Sequence, residues 1–202
     1  MTIKKLRPAV FIDRDGTLIR EKQYLVNTDQ VEIFKNAFDA VRNFLRHGFY
    51  VFVITNQSGV ARGLFSEQQV RAIHHHIQMQ FQNAGLKIHD FFFCPHHPEG
   101  VIPQYTKTCL CRKPQPGLIL RAKKKYPIDL KKSYMVGDKL DDVLLLTHLP
   151  LAGGCLVLTG WGKKNRAQLN AYPTVQPKIK VAANLEKAAE WILKTTRIKS
   201  CL

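Results

Sequence analysis

Two aspartates separated by one residue are the first group in the chain that could form a reactive site. Asp13 and Asp15 follow the apolar run at residues 9–12 and precede Gly16 and Thr17. A short, continuous apolar run that ends in turn residues predicts a strand buried on both faces of a parallel sheet. The carboxyl end of such a strand is where open α/β sheets bind ligands, and carboxylate oxygens there suit Mg²⁺. One carboxylate could then attack an electrophile while the other transfers protons, the alternative being a pair of solvated aspartates in an ordinary turn.

Polar residues also follow two other apolar runs. Thr55 follows residues 49–54, and Asp138 follows residues 133–136. Lys113 adds a cation just before a predicted helix. A hydroxyl and an ammonium group can hold the oxygens of a phosphoryl group, and a second acidic strand end completes a metal site. Since phosphoryl transfer is catalysed mainly by positioning and charge neutralisation, these residues together predict a phosphoryl-transfer site.

The elements that must position these residues alternate between strand and helix. Apolar residues at three- and four-residue steps predict the helices, with Ser66 and Gln69 as a capping box and Gly48 as a helix end. A strand, a helix and a second buried strand in succession predict a parallel sheet. We therefore expect one α/β domain over residues 1–202, a Rossmann-like parallel sheet with helices on both faces and no large cap domain. The expected strands are residues 9–12, 49–54, 88–93, 133–136 and 155–158, and the expected helices are residues 29–47, 66–84, 116–126, 141–148 and 184–195.

Cysteine and histidine are concentrated in the irregular stretch that follows the third predicted strand. Three thiols and one imidazole are a good tetrahedral set for a structural zinc. The spacing is not that of a zinc finger, so reduced and unrelated cysteines are the alternative, and His97 could replace its neighbour as the imidazole ligand. A disulfide is not expected in the cytoplasm. The predicted zinc-binding loop covers about residues 94–111, with Cys94, His96, Cys109 and Cys111 as ligands.

A run of three histidines, His74-His75-His76, lies within the helix predicted from Ser66. Consecutive residues of a regular helix point in different directions, so these three side chains cannot share one metal ion. We expect them to be surface or packing residues.

Composition places the chain among ordinary globular proteins, with 45% hydrophobic and 23% charged residues. No apolar leader precedes the first strand. The apolar stretch at residues 143–158 is too short for a membrane span and is interrupted by His148, Pro150 and two glycines. We expect a soluble, cytoplasmic protein that does not associate with membranes, and a monomer.

The formal charge of +16 comes from 31 basic and 15 acidic side chains. Such a charge favours anionic partners, but it does not distinguish a small phosphorylated metabolite from a nucleic acid or a membrane surface. The lysines are spread along the chain, with dense groups only at residues 123–132 and 163–164. Scattered basic residues are typical of a solvated surface.

The motifs resemble, in type and order, those of the haloacid dehalogenase-like phosphohydrolases. The resemblance implies that Asp13 is the nucleophile that forms an aspartyl-phosphate, and that Asp15 protonates the leaving oxygen and then activates water. Thr55 and Lys113 would hold the transferring phosphoryl group. Mg²⁺ would be bound by Asp13, the backbone carbonyl of Asp15 and Asp138. The matching motifs are Asp13-Arg14-Asp15-Gly16-Thr17, Thr55 after a strand, Lys113, and Gly137-Asp138 with Asp142.

The cysteine segments make the resemblance more specific. Residues 94–98, 109–114, 55–63 and 136–140 are similar to those of the D-glycero-D-manno-heptose 1,7-bisphosphate phosphatases and of the related histidinol-phosphatase domain. This resemblance implies removal of the 7-phosphate of a small phosphorylated sugar in nucleotide-heptose synthesis for lipopolysaccharide or related glycans. The substrate-binding residues that it implies are Glu21, Lys22, Gln23, Tyr24, Thr55, Asn56, Gln57, Ser58, Arg112, Lys113 and Lys139.

Two other enzymatic functions remain open from the sequence. A histidinol-phosphate phosphatase would use the same catalytic residues. A polynucleotide 3′-phosphatase-like protein has a similar Asp-x-Asp-Gly-Thr and Thr-Asn-Gln, and the charge of +16 favours it. The Cys/His loop and the lack of a kinase P-loop argue against nucleic acid, and a non-catalytic anion-binding protein is disfavoured because every catalytic position is filled. The basic charge and residues 149–164 both depart from the family pattern, so the sequence does not decide the substrate itself.

Overall fold

The structure is a computed structural model that describes the backbone of residues 5–200 and the side chains of residues 5–196. Six strands of this range form one sheet, and every pair of neighbours is parallel. The strands are β1 (Ala9–Ile12), β2 (Tyr50–Asn56), β3 (Asp90–Cys94), β4 (Tyr134–Gly137), β5 (Gly153–Val157) and β6 (Ile179–Ala182). Their order across the sheet is β3-β2-β1-β4-β5-β6. The order reverses between β1 and β4, which makes the carboxyl ends of these two strands the expected place for a ligand.

Helices cover both faces of the sheet, as the sequence predicts. Those of the described residues are α1 (Lys35–Arg46), α2 (Glu67–Asn83), α3 (Gly117–Lys125), α4 (Leu140–Val143), α5 (Gly162–Arg166) and α6 (Leu185–Ser200). Val10 and Ile12 of β1 pack into a buried cluster with α1, α2 and α6. Ala9 and Phe11 point the other way, into a cluster with α3 and the 3₁₀ segment Leu144–Thr147. Because both faces are buried, every residue of β1 is apolar, which is why the run is continuous in the sequence.

Two predicted helix signals are confirmed. The Ser66 side chain accepts a hydrogen bond from the Gln69 amide, and the Gln69 side-chain oxygen accepts one from the Ser66 amide, which is a capping box. Gly48 follows α1 with a φ of +78°, the left-handed conformation that commonly ends a helix. No helix among the described residues is long and apolar enough to cross a membrane.

The helix predicted to begin near residue 29 was placed too early. Thr28–Gln30 is a separate 3₁₀ turn, and α1 begins only at Lys35. Between them the chain is extended, because Ile33 forms a bridge with Ile19 and the Phe34 amide donates to the Leu18 carbonyl. Tertiary pairing thus overrides the helical spacing of this stretch.

Two further predictions need correction. The helix predicted over residues 141–148 is the short α4 followed by the 3₁₀ segment Leu144–Thr147. The sixth strand, β6, was missed because it is a four-residue edge strand in which an exposed lysine interrupts the apolar residues. β1 has the predicted limits, and the limits of β2 to β5 differ from the predicted ones by one or two residues. Among the described residues no cap domain is inserted into this fold.

Candidate active site

Lys113 is a buried cation that lies between two carboxylates. Its Nζ donates to Asp13 Oδ1 at 2.7 Å and to the Ile54 carbonyl at 2.9 Å, and it lies 2.6 Å from Asp142 Oδ1. All three charged side chains are buried. Burial alone would lower the pKa of the Lys113 ammonium, but Asp13 and Asp142 outweigh that effect and raise it. Lys113 therefore stays protonated and directs its charge at Asp13.

Asp138 completes a carboxylate cluster, the name we use for Asp13, Asp138 and Asp142. One oxygen from each of the three lies within 4.8 Å of the others. Burial first, and then repulsion from Asp13 and Asp142, raises the pKa of Asp138. Its Oδ1 is buried without a hydrogen-bond partner among the described residues. An unpartnered carboxylate oxygen in a crowded acidic cluster fits a divalent cation, which would supply the missing partner and charge.

The Asp15 carboxylate is held apart from this cluster. Arg14 donates to it from Nε and Nη2, and Gln57 Nε2 donates to Oδ2 at 2.8 Å. Gln57 also accepts from Arg14 Nη2 at 2.8 Å, so the three side chains form a closed network. Asp13 and Asp15 therefore have different surroundings. Asp13 contacts Lys113 and belongs to the carboxylate cluster, whereas Asp15 contacts Arg14. The sequence identified both aspartates but did not predict roles for Arg14 or Gln57 in holding Asp15.

His74 supports this network from α2. It was predicted to be a surface or packing residue, and it does pack, with its ring stacked on Phe91. Its Nε2 also lies 3.3 Å from Arg14 Nη1. Since an arginine can only donate, Nε2 is the acceptor, which requires a neutral ring. Burial, and then the charges of Arg14 and Arg71, lowers the pKa of His74 well below its ordinary value, which keeps the ring neutral.

Asn56, at the end of β2, holds the segment that carries Lys113. Its side-chain amide donates to the Lys113 carbonyl at 3.1 Å and accepts from the Lys113 amide at 3.0 Å. Lys113 is thus fixed both through its backbone and through its ammonium group. The sequence predicted Asn56 only as a substrate-binding residue.

The structure brings the predicted substrate-binding residues, except Arg112, to two adjoining cavities. The inner cavity, of 30 Å³, is lined by Asp13, Thr55, Lys113 and neighbouring residues. The outer cavity, of 170 Å³, is lined by residues 21–24, Gln57, Ser58 and Trp161, among others. The residues that line both are Asp15, Asn56 and Lys139.

Lys139 and Glu21 pair across the outer cavity, with the ammonium nitrogen 3.3 Å from Oε2. Burial raises the pKa of Glu21, against the opposing effect of Lys139. Arg112, in contrast, does not line this cavity. It lies on the other side of Lys113, on a more open cavity of 650 Å³, and its Nη1 is 3.4 Å from the His96 carbonyl.

The loop after β5 contacts the carboxylate cluster, which the sequence did not predict. The Trp161 amide donates to Asp138 Oδ2 at 2.7 Å, and Thr159 Oγ1 donates to the Gly16 carbonyl. Gly160 approaches so closely that a Cβ there would lie 2.2 Å from Asp138 Oδ2. β5 neighbours β4, so the reasoning applied to β1, β2 and β4, that site residues follow strand ends, would have found this loop too.

The four predicted zinc ligands come together in what we call the Cys/His cluster: Cys94, His96, Cys109 and Cys111. Their sulfur atoms lie 3.0 to 3.5 Å apart, and His96 Nδ1 is 3.3 Å from Cys111 Sγ. Sulfurs bound to one tetrahedral zinc would lie about 3.8 Å apart, so small shifts would admit the ion. The cysteines form no disulfide. His97 lies outside the cluster and contacts Arg62 instead.

Comparison with known proteins places this site among phosphatases. A protein-family model described as polynucleotide kinase 3 phosphatase matches residues 9–148, and one described as HAD-hydrolase-like matches residues 110–188. The chain therefore belongs to the haloacid dehalogenase (HAD)-like phosphatases.

The relatives are more specific. The D-glycero-beta-D-manno-heptose-1,7-bisphosphate 7-phosphatase of Yersinia pestis is 36% identical over 92% of this chain and 89% of its own. The protein of that name from Rhodopseudomonas palustris is 43% identical over 68% of this chain and 76% of its own. Among solved structures, the D,D-heptose 1,7-bisphosphate phosphatase of B. bronchiseptica, complexed with magnesium and phosphate, has a TM-score of 0.79 and 28% identity, over 93% of this chain and 99% of that one. The chain belongs to the heptose-1,7-bisphosphate 7-phosphatase family of HAD-like phosphatases.

Proposed function

We propose that the protein removes the 7-phosphate of D-glycero-beta-D-manno-heptose 1,7-bisphosphate, as a step in nucleotide-heptose synthesis. The relatives named above support the substrate, and the observation that carries the reaction is the separation of the two aspartates. Asp13 contacts Lys113 at 2.7 Å, whereas Asp15 is held by Arg14 and Gln57 at the junction of the inner and outer cavities. A nucleophile and a proton donor in different surroundings are what a two-step phosphatase needs.

In the first step an oxygen of the Asp13 carboxylate attacks phosphorus, and the bond from phosphorus to the sugar oxygen breaks. The leaving oxygen takes its proton from Asp15, so the sugar departs with a hydroxyl. In the second step Asp15 accepts a proton from water, whose oxygen attacks the aspartyl-phosphate and releases phosphate and Asp13. Lys113 and Thr55 line the inner cavity and would hold the phosphoryl oxygens throughout.

Asp13 and Asp138 would hold Mg²⁺ together with the backbone carbonyl of Asp15. When bound, the ion neutralises charge on the transferring phosphoryl group. Support comes from the buried, unpartnered Oδ1 of Asp138. Asp142 would act mainly by positioning, since it contacts Lys113 and accepts from the Lys139 amide at 3.0 Å.

The Cys/His cluster would hold a structural zinc, and Arg112, which directly follows Cys111, would depend on it for its position. Arg112 would contribute to substrate recognition, as would Lys139, Asn56, Gln57, Ser58 and residues 21–24. We further propose that the protein acts as a monomer in the cytoplasm, where the thiols of the cluster stay reduced and able to bind metal.

The test is the Asp13→Asn variant, assayed against a panel of substrates. The amide keeps the shape of the side chain but cannot form the aspartyl-phosphate, so turnover should fall by at least about 10³-fold while the melting temperature changes little. Wild type and variant are measured on heptose bisphosphate, histidinol phosphate and a 3′-phosphorylated oligonucleotide. Activity of the variant near that of the wild type would rule out the covalent mechanism, and a wild-type preference for histidinol phosphate would reassign the substrate.

A polynucleotide 3′-phosphatase is the second candidate, because the family model of that description matches residues 9–148 and the chain carries a charge of +16. Repeating the assay across a salt series separates the two. Binding of a polyanion releases many counterions and weakens steeply as salt rises, whereas a small bisphosphate held by a few local charges is affected only modestly. Steeply salt-dependent oligonucleotide binding, with faster 3′-phosphate release than sugar-phosphate turnover, would favour the second candidate.

A further inference from the structure

We propose that the indole ring of Trp161 is the surface on which the ring of the leaving sugar stacks, which makes Trp161 a specificity-determining residue. The inference rests on the proposed function, because it takes Asp15 as the acid that protonates the leaving oxygen. Trp161 is not part of the catalytic set, and its side chain has no role in the chemistry described above. Three features of the structure support the inference: where Asp15 lies, what lines the outer cavity, and how Trp161 is held.

The position of Asp15 determines where the leaving sugar lies. The inner cavity, where Asp13 and Lys113 meet, has a volume of only 30 Å³ and can accept little more than the phosphoryl group. Asp15 lines both this cavity and the outer one, but not the open cavity beside Arg112. A proton donor must lie within hydrogen-bond reach of the oxygen that it protonates. The sugar ring next to the leaving oxygen therefore lies in the outer cavity.

The outer cavity offers aromatic walls and paired charges. Trp161 and Tyr24 both line it, with 43% and 44% of their surfaces exposed. The face of an aromatic ring is negative and favours the C–H groups on the apolar side of a sugar. Lys139 and Glu21, 3.3 Å apart, lie in the same cavity and can donate to and accept from hydroxyl groups. Apolar walls with a few oriented polar groups are what a small-molecule site requires.

The loop that carries Trp161 is fixed by its backbone, not by the indole. The Trp161 amide donates to Asp138 Oδ2 at 2.7 Å. A Cβ on Gly160 would lie 2.2 Å from the same oxygen, and a Cβ on Gly162 would lie 1.7 Å from the Val157 carbonyl, so both glycines are packed against the end of the sheet. The Lys164 ammonium lies 5.6 Å from the centre of the indole. Because the backbone contacts of residues 160–162 hold the loop, the loop should keep its position when the indole ring is removed.

The test compares Trp161→Ala and Trp161→Phe with the wild type on two substrates. Heptose bisphosphate carries the sugar ring, and ethyl phosphate carries the same scissile bond without any ring. We expect Trp161→Ala to lower the ratio of kcat/KM for heptose bisphosphate to that for ethyl phosphate about three- to tenfold, mainly through KM, as expected for the loss of one aromatic contact. Trp161→Phe should restore most of this ratio. Met79→Ala, which removes a side chain of similar exposure on α2 that lines neither cavity, is the matched control.

The wild-type rates test the proposed function, and the variant ratio tests the inference. A wild type that turns over heptose bisphosphate no faster than ethyl phosphate would remove the proposed substrate. An unchanged ratio in Trp161→Ala, or an equal loss of kcat on both substrates, would overturn the stacking role, since equal loss indicates damage at Asp138. The 3′-phosphorylated oligonucleotide is assayed alongside these two substrates, and a loss confined to it would overturn the stacking role as well, because the ring that stacks would then be a base.

Discussion

The carboxylate cluster and the Cys/His cluster both gather groups that can hold a metal ion, but they are assembled differently. Asp13 and Asp138 follow adjacent parallel strands, with Ile12 paired to Val136 and the Asp13 amide donating to the Val136 carbonyl. The sheet itself therefore brings these two carboxylates together. In the Cys/His cluster only Cys94 belongs to a strand, and it is the edge strand β3.

The other ligands of the Cys/His cluster come from a stretch whose regular structure is the short 3₁₀ turn Pro103–Tyr105. Few backbone hydrogen bonds therefore hold Cys109 and Cys111 in place. One of them joins the Gly117 amide to the carbonyl of Leu110, the residue between the two cysteines. Buried strand ends can thus hold like charges together before any metal binds, whereas an irregular loop needs its metal to become ordered. Loss of a ligand should accordingly affect catalysis in the first cluster and stability in the second.

The largest expected effect is that of Asp138→Asn on turnover. The amide removes a ligand charge and should lower kcat by about 10³-fold or more, as for a phosphoryl-transfer site that loses its metal. The metal-free variant should be at least as stable as the wild type, because burial and the charges of Asp13 and Asp142 disfavour ionised Asp138 in the folded chain. Kinetics with a magnesium titration and melting curves in chelator measure the two effects.

The matched control is Asp141→Asn, an acidic neighbour outside the carboxylate cluster; Asp142 is unsuitable as a control because it contacts Lys113. It should lower kcat far less than Asp138→Asn. Severe destabilisation of metal-free Asp138→Asn would contradict the view that the sheet alone holds this cluster.

Cys109→Ser should affect stability more than Asp138→Asn does, and turnover less. Loss of one of four ligands should release the zinc and lower the melting temperature by several degrees, as expected when a structural site stops contributing to folding. Turnover of heptose bisphosphate should fall about 10- to 100-fold, because Cys111 directly precedes Arg112 and Lys113. Elemental analysis, melting curves and kinetics measure these changes.

Cys155→Ala is the matched control for the zinc content, since Cys155 is a buried cysteine of β5 remote from the cluster in the fold. It should retain about one zinc per chain. If wild-type protein expressed with adequate metal carried no zinc, the structural zinc would be ruled out and the difference between the two clusters would lose its basis.

The two clusters also differ in how far the sequence could predict them. Asp13, Thr55 and Asp138 could be found because each follows a continuous apolar run, and the sheet then brings strand ends together. Cys94, His96, Cys109 and Cys111 were identified by residue type and resemblance, although no periodicity relates them. Residue type left His97 as an alternative to the predicted ligand His96, since the two are adjacent and only the path of the loop separates them.

The roles of Arg14, His74 and Trp161 could not be predicted in this way. Arg14 bonds to Asp15, its own neighbour, and its partners are brought to it by tertiary packing: Gln57 directly follows β2, and His74 lies on α2. Trp161 follows a strand whose end was not considered as part of the site. Partners that meet only through packing leave no spacing in the sequence, because their separation along the chain is set by the lengths of whole elements.

The smallest expected effect concerns how the free energy of unfolding depends on pH through His74, which supports the network of Arg14, Asp15 and Gln57. A histidine that must stay neutral in the folded chain, but can protonate once unfolded, lowers the free energy of unfolding as pH falls below about 6.5. His74 is such a residue, because burial and Arg14 lower its pKa. Between pH 7.5 and 5.5 it should cost about 1.4 kcal/mol. His74→Gln, whose side chain can still accept from Arg14, should remove that part of the pH dependence without the loss of kcat expected if Arg14 were released.

His75→Gln is the matched control, since His75 is exposed on the same helix. His89, whose pKa is also lowered, to about 4, should preserve a residual acid sensitivity in every variant. The free energy of unfolding is measured by denaturant titration at several pH values, together with kcat. An identical slope in wild type and His74→Gln would contradict this expectation, because His74 would then protonate freely in the folded chain and could not accept a hydrogen bond from Arg14 Nη1.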